Sequence, residues 1–136
     1  MTIPRIKQWF QLAVPEPTDK NRAVQLGCHA EEFAEMLTAL GFQNTSANVE
    51  LWANYMKSEF PGVMQPDRTE LLDAICDQIV TAVGVAHMFG LDIEGALAEV
   101  TRSNYSKFVD GKPVFDANGK IAKPQSYIKP DLTPFL

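Results

Sequence analysis

Only two cysteines, Cys28 and Cys76, occur in 136 residues. That is too few for a disulfide framework or a zinc cluster. Both fall in apolar-periodic segments, where a reduced, buried thiol is the expectation. No run of 18 uncharged apolar residues exists, so no membrane-spanning helix is expected. The first ten residues hold Arg5 and Lys7 but no apolar core of a secretory signal, which points to a cytoplasmic location. Histidine is scarce: His29 and His87 stand alone, each read as a satisfied or surface side chain. No Cys/His or Ser/His/Asp arrangement can be argued. A phosphate loop is missing too, because Gly111-Lys112 and Gly119-Lys120 lack the glycine spacing and the following helix.

What is present is an ordinary soluble composition, 46% apolar and 21% charged, in a chain the length of one domain. We therefore expect residues 1–136 to form a single domain. The net charge of -5 argues against nucleic-acid polymers, whose binding leaves a basic footprint. The charge is uneven. Residues 1–100 carry 6 basic and 14 acidic side chains, whereas residues 101–136 carry 6 basic and 3 acidic.

Hydrophobic periodicity predicts five helices and at most minor strands. The first covers Arg5 to Leu12, with Ile6, Trp9 and Phe10 on its apolar side. The second starts at a Thr18 or Asp19 cap and runs to Leu40, with Phe33, Leu37 and Leu40 facing inward. A third is capped by Ser46 and presents Val49, Leu51, Trp52, Tyr55 and Met56. The fourth opens at Asp67, with Glu70 three residues on, and runs to Phe89 before Gly90. It is apolar nearly all round, the mark of a central helix. Asp92 caps a fifth helix through about Phe108. From 110 to 136 the chain reads as an extended arm, with a small hairpin around Asn118-Gly119. The fold class is all-α: a four- to five-helix bundle with a mostly irregular C-terminal arm.

The acids cluster on two of these helices. Glu31, Glu32 and Glu35 fall within one turn of each other on the second, and Glu70, Asp73 and Asp77 share a side of the fourth. Acids on a helix are usually a solvated face, and Glu70 is explained as a capping residue. Asp77 fits that explanation least, because it lies deep in a helix that reads as buried, and a buried unpaired carboxylate is costly. No Lys or Arg follows Arg68 on the fourth helix or Arg22 on the second. A divalent cation would satisfy such an all-oxygen set. That chemistry suits Mg²⁺ or Mn²⁺ rather than zinc. Asn104 and Lys107, three apart near the end of the fifth helix, can reach one anion; the plainer role for Lys107 is at the helix C-terminus.

These residues resemble a known family. His29-Ala-Glu31-Glu32-Phe-Ala-Glu35-Met is similar to the Glu-Glu-x-x-Glu helix of the all-α nucleotide pyrophosphohydrolases, which include MazG-like proteins, dimeric dUTPases and phosphoribosyl-ATP pyrophosphohydrolase. Glu70-Leu-Leu-Asp73-Ala-Ile-Cys-Asp77 resembles their second acidic helix, and Phe89-Gly90-Leu91-Asp92 resembles its end. Glu99 to Lys107, and the tail from Gly119 to Leu132, are also similar. One departure stands out. Counted back from Gly90, Asp77 takes the place of the family Asp, and Ala74 then takes that of its Glu.

The resemblance implies Mg²⁺-dependent hydrolysis of the α–β phosphoanhydride of a nucleoside triphosphate, giving a monophosphate and pyrophosphate. It implies Glu31, Glu32 and Glu35 as catalytic residues, Glu32, Glu35, Asp73 and Asp77 as metal ligands, and Asn104 and Lys107 at the phosphates. It implies a homodimer or a dimer of dimers, with a nucleotide rather than a membrane as partner. Two other readings stay open: phosphoribosyl-ATP as the substrate, and a helical dimer that binds without catalysis.

Overall fold

A computed structural model describes residues 1–136. It is all-helical: α1 (Thr2–Ala13), α2 (Asp19–Ala39), α3 (Gln43–Ser58), α4 (Arg68–Met88) and α5 (Ile93–Tyr105), closed by a 3-10 turn at Thr133–Phe135. Strand pairing is limited to two isolated bridges, Val109 with Lys112 and Phe115 with Ile121. The chain divides into two compact units. One comprises residues 1–13, 65–114 and 123–136; the other comprises residues 14–64 and 115–122.

In the second of these units, α2 and α3 form an antiparallel helical hairpin. Thr18 begins α2 with a reciprocal cap: its hydroxyl accepts from the Asn21 amide, and the Asn21 side chain accepts from the Thr18 amide. The buried face of α2 consists of small residues, Ala23, Val24, Gly27 and Ala34. Gly27 marks the closest approach. A Cβ there would stand 2.6 Å from the Ala53 carbonyl oxygen and 2.5 Å from Lys57 Cγ, so the helices can meet at this depth only over a glycine.

This packing overturns only part of the expected inward stripe, since Met56 is buried as expected and Leu37 and Val49 are half-buried. Phe33 and Leu40 are exposed, as are Leu51, Trp52 and Tyr55 on α3, while Ala53 and Met56 are buried. Large side chains make the stronger periodic signal, but the small ones let two helix backbones come close enough to fill space without gaps. Ser46 is likewise not a cap. It lies inside α3, buried, and its hydroxyl donates to the Ala34 carbonyl of α2 at 2.7 Å. The Asn118-Gly119 turn forms the expected small hairpin, with the Asp116 amide donating to the Lys120 carbonyl at 2.8 Å.

In the other unit, α1 packs on α5 through Trp9. Its indole stacks on Phe108 with ring centroids 5.5 Å apart and donates to the Asn104 carbonyl at 2.9 Å. Tyr105 adds a bond from its hydroxyl to the Arg5 carbonyl. Asp67 caps α4, accepting from the Thr69 and Glu70 amides, and Asp92 caps α5, accepting from the Gly95 amide. Both caps fall where the sequence places them. α5 stops at Tyr105, three residues short of the expected end. At the turn that follows, Asp110 and Gly111 both take positive φ, +51° and +74°, as a two-residue hairpin turn demands.

The central position expected for α4 is corrected. Only Ala86 of its 21 residues is buried. Leu72 is 63% exposed, Val80 67% and Met88 82%. The helix is apolar all round, as a central helix should be, but its own unit packs only α5 against it. By length and mean hydropathy alone α4 would suffice to cross a bilayer. Asp73 and Asp77 interrupt its apolar run. Cys76, on this helix, is exposed and Cys28 half-buried, so neither thiol is fully buried as expected.

Candidate functional site

α2 carries the Glu31, Glu32 and Glu35 cluster in the middle of a continuous helix, where i, i+4 spacing stacks Glu31 and Glu35 one turn apart. Glu31 is half-buried and turned toward α3; Glu32 and Glu35 are exposed. A shallow cavity of about 210 Å³ opens beside them, lined by Glu31, Ala34, Glu35, Thr38, Ser46 and Glu50. Its polar floor is already ordered, because the Thr38 and Ser46 hydroxyls lie 2.6 Å apart and Ser46 continues to the Ala34 carbonyl. Glu50 of α3 is an addition to the expected set. Its signal in the sequence was its position one turn after Ser46, on the face that meets α2.

Glu31 is held by two cations. Its Oε1 lies 3.0 Å from Lys57 Nζ, and its Oε2 accepts from Lys120 Nζ at 2.7 Å. Lys57 belongs to α3 and is buried; Lys120 belongs to the small hairpin and is half-buried. Partial burial pushes the Glu31 carboxyl up, but hydrogen bonds and charge from Lys120 and Lys57 outweigh it and leave its pKa below the ordinary 4.5. For Lys120, burial works downward and the bond to Glu31 upward, with a net rise above 10.5. Cys28, one turn before Glu31, is pushed up chiefly by its own burial. The cations missing from the acidic helices are therefore supplied to Glu31 by other segments. Lys120, which reads as a solvated tail residue, is one of them.

The remaining expected residues lie in the other unit. Asp73 and Asp77 are exposed on α4, with Glu70 in its first turn and Ala74 beside Asp73. Asp77 is thus not the buried carboxylate that the sequence implied, because α4 is not enclosed. Asn104 and Lys107 are half-buried at the end of α5. The Asn104 carbonyl is taken by Trp9, and the Lys107 ammonium sits 5.8 Å from the centroid of the Tyr127 ring. The proposed metal ligands are divided between the units, Glu32 and Glu35 in one and Asp73 and Asp77 in the other. Within neither unit are three His, Cys, Asp or Glu side chains grouped to hold a metal ion. The donor chemistry, carboxylate oxygen throughout, matches Mg²⁺ or Mn²⁺.

No known family, curated protein or solved structure matches this chain.

Proposed function

We propose that the chain is a divalent-metal-dependent nucleotide pyrophosphohydrolase of the all-α type, acting as a homodimer. The observation that carries this reading is the acid cluster of α2. Glu35 opens on a cavity rimmed by Glu31 and Glu50, while Glu32 stands exposed beside it. Carboxylate oxygens gathered at an open surface are what a hard cation requires, and a cation of that kind neutralises a triphosphate. Glu32, Glu35, Asp73 and Asp77 are the proposed ligands. Mg²⁺ held by carboxylates of this kind would stabilise the charge that develops on the phosphoryl oxygens. Asn104 and Lys107 are the proposed phosphate partners.

The role of Glu31 narrows within this reading. A carboxylate that two ammonium groups hold with its pKa lowered is a weak proton acceptor. Glu31 therefore orients its neighbours, and Glu35 takes the part of water-orienting group.

The homodimer rests on α4. Leu71, Leu72, Ile75, Ile79, Val80, Val83, Val85, Met88 and Phe89 are all exposed large apolar residues. Exposed apolar surface of this kind marks an interaction site. A second copy of the same helix matches this surface in length and chemistry, and antiparallel pairing keeps the acidic first half of one helix off that of the other. A bilayer is the poorer occupant, because Asp73 and Asp77 would cost roughly 2.5–3.5 kcal/mol each near its centre.

The direct test incubates the full chain with nucleoside and deoxynucleoside triphosphates, and with phosphoribosyl-ATP, plus Mg²⁺, and detects pyrophosphate. Release that is lost in Glu35→Gln and Asp77→Asn, with melting temperature unchanged, supports the reading. No release from any substrate overturns it.

A further inference from the structure

The small hairpin at residues 115–122 holds its own shape. Phe115 bridges Ile121, the Asp116 amide donates to the Lys120 carbonyl at 2.8 Å, and the Gly119 amide donates to the Asp116 carbonyl at 3.1 Å. The Asp116 carboxylate closes the turn by accepting from the Asn118 and Lys120 amides at 2.9 and 3.0 Å. Gly119 takes a φ of +79°, which lets the chain reverse. All of these bonds lie inside the hairpin, so a movement of the hairpin as a body breaks none of them.

Its hold on the α2–α3 pair is of another kind. None of residues 115–122 is buried: 115–118 are exposed and 119–122 half-buried, so apolar contact is slight. The polar hold is the 2.7 Å bond from Lys120 Nζ to Glu31. The Lys120 side chain is 41% exposed, and water and salt weaken an ion pair in such a setting. By contrast, α2 and α3 meet over Gly27 and Ala53, and Glu31 keeps Lys57 as a second partner at 3.0 Å. With the hairpin in place, one carboxylate faces two ammonium groups, which repel each other; with it away, one carboxylate faces one. Release of Lys120 therefore leaves the helices packed and Glu31 paired.

Cys28 lies one turn before Glu31 on the same side of α2 and is half-buried, with Lys120 near enough to act on its thiol. Glu31 also rims the cavity it shares with Glu35 and Glu50. We propose that residues 115–122 form a strap across the Cys28–Glu31 turn of α2, that the Lys120–Glu31 bond is its catch, and that the strap swings off as a body while α2 and α3 stay packed. Opening uncovers the Cys28 thiol and returns negative charge to the cavity rim. Ionic strength controls it, because salt weakens a half-exposed ion pair and spares the close packing of the helices. The strap does not depend on the nucleotide reading above.

Alkylation of Cys28 by iodoacetamide in the full chain, followed by mass spectrometry of the Cys28 peptide, reads the opening. Lys120→Met should speed alkylation about fivefold, the factor that a half-exposed pair contributes to closing. A fixed hairpin gives the opposite sign. The Lys120 charge pulls the thiol pKa down, so its loss from a hairpin that stays in place leaves less thiolate and slows the reaction. Raising NaCl from about 0.05 M to about 0.5 M should speed alkylation of the wild type and leave Lys120→Met unchanged. Low urea separates the strap from global unfolding: opening exposes little surface, so the rate should respond only slightly, whereas alkylation through unfolding rises steeply. Unchanged or slower alkylation in Lys120→Met overturns the strap, as does a steep dependence on urea.

Discussion

Lys120 donates to the Glu31 carboxylate at 2.7 Å across 89 positions of sequence, and so ties the small 115–121 hairpin to α2. The other oxygen of the same carboxylate faces Lys57 of α3 at 3.0 Å. One acid thus joins three segments of its unit. The two cations differ in setting, since the Lys57 side chain is 11% exposed and that of Lys120 41%.

That difference predicts unequal energies. In urea denaturation, a double-mutant cycle of Glu31→Gln with Lys57→Met should give a coupling of about 1–3 kcal/mol, because removing either partner strands a buried charge. The cycle with Lys120→Met should give no more than about 1 kcal/mol, as expected for a half-exposed pair. Equal couplings would place Lys57 in a far wetter site than its burial implies.

The same group sets a pH dependence. Glu31 has a lowered pKa in the folded chain, so its stabilisation is fully present above its ordinary value of 4.5 and is lost as pH falls through the folded value. Glu99, held down to about 2 by Arg102 and the Asp131 amide, acts in the same direction between 4.5 and about 2. Lys120, with a raised pKa, contributes below 10.5 and loses its contribution above it. Melting temperature should therefore fall below pH 4.5, and Glu31→Gln should flatten that decline. A parallel decline in the variant would remove Glu31 from the account.

Gly27 offers a steric test. Alanine in an open helix position would stabilise by about 1 kcal/mol. Here its Cβ meets the Ala53 carbonyl oxygen at 2.6 Å, and backbone cannot move aside as a side chain can. Gly27→Ala should destabilise the α2–α3 hairpin by about 1–3 kcal/mol, read as a lower denaturation midpoint. A stabilised variant would show that the helices can separate freely.

For α4 the measurable quantity is assembly. Sedimentation of the wild type should show a dimer, and Val80→Lys, which charges a side chain 67% exposed, should shift it toward monomer with helix content retained. A monomeric wild type would contradict the pairing of α4 with a second copy. Partition of the chain into lipid vesicles would point to a bilayer in its place.

Activity and stability should separate along α2. Glu35→Gln should abolish pyrophosphate release at unchanged melting temperature, because Glu35 is exposed at a cavity rim. Glu31→Gln should lower melting temperature whatever it does to turnover, because it breaks two ion pairs.

Local chemistry was legible in the sequence wherever it acts over a few residues. Thr18, Asp67 and Asp92 cap helices as their side chains dictate, and the Asp110-Gly111 and Asn118-Gly119 turns form where positive φ is tolerated. The acid triplet of α2 follows directly from helical spacing. Which helix face is covered was decided only by the tertiary structure. Shape governed α2, where a glycine allowed α3 to approach and Phe33 was left outside. Partner supply governed α4, whose apolar surface promised a central helix that its unit does not enclose. The identity of the Glu31 cations was also tertiary, because attraction between charges depends on distance in space, and Lys120 is near Glu31 only once the hairpin has folded back.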